Sequence, residues 1–214
     1  MAQPRRIPIR FRAIDCPTIR FASREVLGVT AAEYALLRPL TRPTKIQAFL
    51  DAIPINREIG GETILSVREV LRQRRAHCIE GAFVAACALW IHGDPPRVMY
   101  MDCASSDSPH VVALFRRGRS WGAISKSRTE HLRYRDPVYR TLRELAMSYF
   151  HEYIDDDGRK TLRRHSSSFD LRRIDVRLWV TNLDPCQSTN DRLAALHQYP
   201  LISTRQARLL SRNE

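Results

Sequence analysis

The segment HCIEGAFVAACALWIHG, residues 77 to 93, decides how this chain is read. Cys78, Ala82, Ala85, Ala86 and Leu89 recur at i, i+4, i+7, i+8 and i+11, while Ile79, Phe83, Cys87 and Trp90 follow a second line around the same helix. A helix that is apolar almost all the way round belongs inside a core. Gly93 is a natural terminator, and Pro95-Pro96 prevents continuation. The predicted helix opens at Cys78, where N–H groups without intrahelical acceptors and the positive end of the dipole favour a thiolate. Arg72, Arg74, Arg75 and His77, just upstream, push in the same direction. The plainer reading, one more small buried residue beside Ala82, stays open on this segment alone.

Downstream the period changes from helical to alternating, and three strands are expected over Arg97 to Cys103, His110 to Arg117 and Arg119 to Lys126. In the first, Val98 and Tyr100 alternate with Met99 and Met101, which predicts burial on both faces. Arg117-Gly118 is a hairpin signal between the second and third. A turn there sets His110 directly opposite Ser125, on one face, with Cβ atoms about 4.5–5.5 Å apart. His110 is then oriented by Ser125 while its other ring nitrogen faces the helix that carries Cys78. Taken alone, His110 is equally a strand-end histidine bonded to water.

Upstream, helices are expected from Thr30 to before Pro39, from Thr44 to Ile53, and from near Thr63 into Arg72-Gln73-Arg74-Arg75. Residues 1 to 30 are an irregular arm or edge strand around Ile7 to Phe11. Past Ser127, a helical stripe of Val138, Leu142, Leu145, Ala146 and Tyr149 spans 138 to 152. An acidic turn at 155 to 158, a basic and partly alternating stretch over 159 to 178, and a short helix over 190 to 197 follow. This is an α+β chain with a buried helix against consecutive antiparallel strands. One domain over 1–214 is expected: an arm to residue 30, the Cys/His core within 31–127, and a helical, basic part over 128–214.

A cysteine opening an Ala-rich helix, a histidine beginning a strand some thirty residues later, and a Trp four residues ahead of the third position, as in SPHVVALFRRGRSWGAIS, resemble the core of the transglutaminase-like, papain-related cysteine hydrolases and acyltransferases of bacterial type. The resemblance covers roughly residues 64 to 127. It implies that Cys78 is the nucleophile, His110 the general base and Trp121 the supporting aromatic, with His77 a further supporting residue. Where that family carries aspartate or asparagine, this chain has Ser125. A hydroxyl can hold an imidazole tautomer but cannot stabilise imidazolium by charge, so Asp102 and Asp107, which precede the hairpin, are alternative third members. The implied activity is acyl transfer, or amide or peptide hydrolysis, through a Cys78 thioester on a peptide or amide substrate, which can be a protein. The alternative is a weakly active or inactive member of the same fold that binds an acidic partner or nucleic acid.

Composition narrows the classes. The formal charge of +12 in 214 residues is almost wholly arginine, with Lys45, Lys126 and Lys160 the only lysines; it predicts salt-sensitive, non-specific adhesion to polyanions. The five cysteines are odd in number and lack framework spacing, and neither C-x-x-C nor H-E-x-x-H occurs, so no disulfide scaffold, metal or cofactor is expected. The longest apolar run, Ile79 to Ile91, is too short for a membrane span and carries Glu80. The opening MAQPRRIPIRFR lacks the apolar core of a secretory signal, which predicts a cytoplasmic protein with no membrane partner.

Overall fold

The computed structural model describes residues 18–58, 61 and 63–212. Among them are eight α-helices, α1 (Arg24–Leu27), α2 (Ala31–Leu37), α3 (Pro43–Asp51), α4 (Val67–Gln73), α5 (Cys78–Ile91), α6 (Leu142–Met147), α7 (Gln187–Ala194) and α8 (Thr204–Ala207). Seven strands, β1 (Arg97–Cys103), β2 (His110–Arg117), β3 (Ser120–Ile124), β4 (Arg135–Tyr139), β5 (Leu162–Ser166), β6 (Phe169–Asp170) and β7 (Gln198–Pro200), form one antiparallel sheet. Its order is β4-β3-β2-β1-β5-β7, with β6 also on β1.

The sheet divides two apolar layers. Val98 and Tyr100 of β1, and Val111, Ala113 and Phe115 of β2, turn towards α5 and the helices around it. Met99, Met101, Val112 and Leu114 turn the other way, onto Leu145, Ala146 and Tyr149. The two-sided burial expected for β1 is thus present. Every residue of α5 after Cys78 is buried, as its unbroken apolar circumference requires. Gly81 lets this helix approach the end of β3: a Cβ there would lie 2.5 Å from Cβ of Lys126. We expect Gly81→Ala to destabilise by about 1–3 kcal/mol through overpacking, despite the better helix propensity of alanine, as read from a denaturant midpoint.

The structure shifts several expected boundaries. The helix foreseen from near Thr63 begins only at Val67, because Ser66 Oγ accepts the Glu69 N–H, and it ends at Arg74 in the left-handed region (φ 55°) instead of running through Arg75. The third strand is shorter than Arg119 to Lys126. The hairpin turns at Gly118-Arg119, with Arg117 paired to Ser120 and Ala113 to Ile124. Continued past Ile124, that register sets Ser125 across from Val112, so the direct His110–Ser125 pairing is corrected to a diagonal one. The shift is even and leaves both side chains on one face.

The stripe read as a helix over 138 to 152 splits. Residues 135 to 139 form edge strand β4, where Pro137 lacks only an N–H that the edge does not need; Val138 is 66% exposed. Helix α6 starts after Thr141, whose Oγ1 accepts the Glu144 N–H. The basic stretch supplies β5 and β6, and the last expected helix lies earlier, at Gln187–Ala194. Of the irregular arm expected to residue 30, residues 1–17, with Cys16, lie outside the described residues, and the rest is corrected by helix α1, which starts where Ser23 Oγ accepts the Val26 N–H. No helix among the described residues is long and apolar enough to cross a membrane.

Candidate active site

Cys78 and His110 are the first residues of α5 and β2, and they meet at the end of the sheet, where both line one cleft of about 370 Å³. A second cleft, of about 310 Å³, also reaches Cys78 and is lined by Ile64, Ile79, Tyr100 and Val111. The thiol is partly exposed. Its sulfur lies 3.8 Å from Nδ1 of His77 and 3.9 Å from the carbonyl oxygen of Pro109, and it shares its cleft with the His110 ring. A surface groove of about 570 Å³ beside Leu36, Arg68 and Leu183 shares no residue with either cleft and holds no nucleophile.

His110 is fixed from two sides. Its Nε2 is 2.6 Å from Ser125 Oγ, and its ring meets the edge of Tyr153 with centroids 6.3 Å apart. Ser125 is in turn clamped by Gln47 of α3: its N–H donates to Gln47 Oε1 at 3.1 Å, and Gln47 Nε2 donates to its carbonyl at 2.9 Å. The Tyr153 hydroxyl donates to the Ser108 carbonyl and anchors the loop that leads into His110.

The two aspartates weighed as third members are engaged elsewhere. Asp102 pairs with Arg164 of β5 (2.7 Å); Asp107 accepts from Thr161 Oγ1 (2.5 Å) and the Ser108 N–H (2.7 Å). Ser125 is the residue hydrogen-bonded to His110, while Asp107 lines the same cleft without reaching that ring and Asp102 pairs outside it. Trp121 lines neither cleft; its ring lies under the Arg116 guanidinium, 4.8 Å from the centroid.

One constituent escaped the sequence reading. Glu80, fully buried in the first turn of α5, accepts from the N–H groups of Leu65 and His77 (both 2.7 Å), from Asn56 Nδ2 on both oxygens (3.0 and 3.1 Å) and from Thr63 Oγ1 (3.1 Å). It ties Asn56, Thr63 and Leu65 to the start of α5 beside Cys78. The spacing His77-x-x-Glu80 is the capping-box signal that marks it. Glu58 Oε1 and Glu80 Oε1 each lie 3.2 Å from Nε2 of His77. These three residues form the one group of converging donors among the described residues with ligand atoms within 4.8 Å of one another. A cation there would have to displace the N–H and O–H donors that already fill Glu80, so we read a charged hydrogen-bond hub and not a ligand set.

The electrostatics follow from this packing. Burial opposes ionisation of Cys78, but hydrogen bonds from His110 and His77 outweigh it and hold the thiol at about 5. Burial likewise opposes charge on His77, and its contacts with the Cys78 sulfur and Glu80 carry it up to about 10. The other described thiols go the opposite way: burial pushes Cys87 up, and burial, aided by nearby carboxylates, pushes Cys103 and Cys186 up to about 12. Cys78 alone among them is activated. Scans against protein-family models and against curated proteins return no match to this chain.

Proposed function

We propose that the protein is a transglutaminase-like, papain-related cysteine enzyme that transfers or hydrolyses an acyl group through a Cys78 thioester. One observation carries this reading: a thiol at the start of a buried helix shares one cleft with a histidine whose Nε2 is held 2.6 Å from Ser125. In the reaction, the thiolate attacks the acyl carbon of an amide and a C–S bond forms. The C–N bond breaks as the leaving nitrogen takes a proton from an imidazolium. His110 then removes a proton from water, or from an accepting amine, as it attacks the thioester; the C–S bond breaks and the thiolate returns. The first-turn N–H groups of α5 receive the developing oxyanion. Two adjoining clefts that both reach Cys78 leave room for a substrate larger than the scissile bond itself, as a peptide is.

The polyanion-binding alternative receives little support, since Arg164, Arg172 and Arg177 of the basic stretch are paired with Asp102, Asp170 and Asp175. The test is turnover of a panel of peptide amides and esters. We expect His110→Ala to lower kcat by about 10²–10⁴-fold while Cys78 still alkylates. Full turnover in that variant would contradict the assignment.

A further inference from the structure

We propose that the positive partner of the Cys78 thiolate is His77, backed by Glu58 and Glu80, and not His110. The inference rests on the cysteine-enzyme reading above and assigns the charge within it. It starts from an asymmetry between the two histidines that flank the sulfur. Nε2 of His77 lies 3.2 Å from each of two carboxylate oxygens, and its Nδ1 faces the sulfur at 3.8 Å. Nε2 of His110 meets only the hydroxyl of Ser125, at 2.6 Å. The carboxylates approach Nε2 off the line of an ideal hydrogen bond, so they act on His77 mainly through charge. An opposite charge at this range favours the protonated ring, and a hydroxyl does so far less.

The other charged groups do not reverse this order. Glu58 comes from the loop before α4, Glu80 from α5 itself and His110 from β2. Asp107 is held by Thr161 and the Ser108 N–H, and the Lys126 ammonium by the carbonyls of Leu50 and Ile53. Arg57 and Arg128 are exposed residues on the cleft wall. The raised pKa of His77 agrees with the geometry, but His110 as well as His77 holds the Cys78 thiol down, so it is the variants below that separate the two rings.

This assignment accounts for Ser125. A carboxylate in its place would draw a second proton onto His110 and put two cations beside one thiolate. A serine hydroxyl can accept the Nε2–H of His110, which leaves the Nδ1 lone pair of the ring free to take a proton. In acylation, His77 gives its Nδ1 proton to the leaving nitrogen as the C–N bond breaks, keeping Nε2–H against the carboxylates. In deacylation, His110 takes the proton from water and returns it to His77 as the thiolate reforms. The charge that the family pattern places behind the base is here placed on the opposite side of the sulfur. Glu58 and Glu80 are positioning residues in this scheme.

The test is the pH profile of Cys78 alkylation by iodoacetamide in the wild type and in His77→Asn, His110→Asn and Glu58→Gln. Asparagine keeps a neutral donor near the position of Nδ1. We expect a wild-type inflection near 5, displaced upward by about one to three units in His77→Asn and by less in Glu58→Gln, and moved by under about one unit in His110→Asn. A large displacement in His110→Asn with none in His77→Asn would overturn the inference and leave the cysteine-enzyme reading standing. An ordinary thiol profile in the wild type would instead remove that reading itself. A readout free of variants is the ¹⁵N spectrum of labelled histidines at pH 7, where His77 is expected doubly protonated; a neutral His77 beside a reactive Cys78 also overturns the assignment.

Discussion

At pH 6, iodoacetamide is expected to modify Cys78 on the order of a thousandfold faster than Cys103. A thiol near 5 is about nine-tenths thiolate at that pH, whereas one near 12 is thiolate in about one molecule in a million. Part of the advantage is lost, because nucleophilicity falls with pKa at a Brønsted slope of about 0.4–0.5, which removes roughly three decades of the six. Against an ordinary exposed thiol near 8.5 the same arithmetic leaves only about tenfold, so Cys103 is the informative reference. Peptide mapping after limiting reagent reads the ratio. Equal labelling of Cys78 and Cys103 would mean that the two histidines do not act on the sulfur.

Glu80→Ala is expected to cost about 3–5 kcal/mol in stability, the largest effect of any single substitution considered in this protein. The carboxylate is fully buried and accepts from two backbone N–H groups, an amide and a hydroxyl. Its removal strands those donors and leaves His77 one carboxylate short, which is the expensive way to break a buried charged network. Burial opposes the Glu80 charge, but His77 and the N–H donors outweigh it and hold the carboxyl below its ordinary range. A group whose folded pKa is depressed contributes stability that is fully present above the unfolded value, about 4.3, and is lost as pH falls through the folded value. The gap between wild type and Glu80→Ala in denaturant unfolding is therefore expected to be constant near neutrality and to narrow in acid. A gap that widened in acid would contradict a charged Glu80.

Local periodicity made the helix at Cys78, the bounds of β1 and β2 and the two-faced burial of β1 readable in the amino acids alone. The meeting of Cys78, His110 and Ser125 was readable too, although through a register two residues out; it survived because an even displacement returns side chains to the same face. What escaped depended on partners remote in sequence. Strands β5, β6 and β7 are short, and their pairing with β1 and with one another leaves only weak alternation in a stretch dominated by arginine. Gln47 and Tyr153 reach the site from elements on either side of the core, and no local pattern announces them. Val138 to Tyr149 showed helical spacing because an edge strand and a short helix follow in immediate succession, and Pro137 and Thr141 were the boundary signals that periodicity overrode. Glu80 was hidden by its setting, since a lone acid on an apolar helix reads as an interruption until its four donor groups are seen.

The most direct test of the central claim is to trap the thioester. The native protein is incubated with activated acyl esters and with peptide amides, quenched in acid, and examined by intact mass and peptide mapping beside Cys78→Ala. The account predicts one acyl group on the peptide that carries Cys78, released by hydroxylamine as thioesters are, and none on that peptide in the alanine variant. Acylation that persists unchanged in folded Cys78→Ala, or that settles on another cysteine while Cys78 stays free, would contradict it.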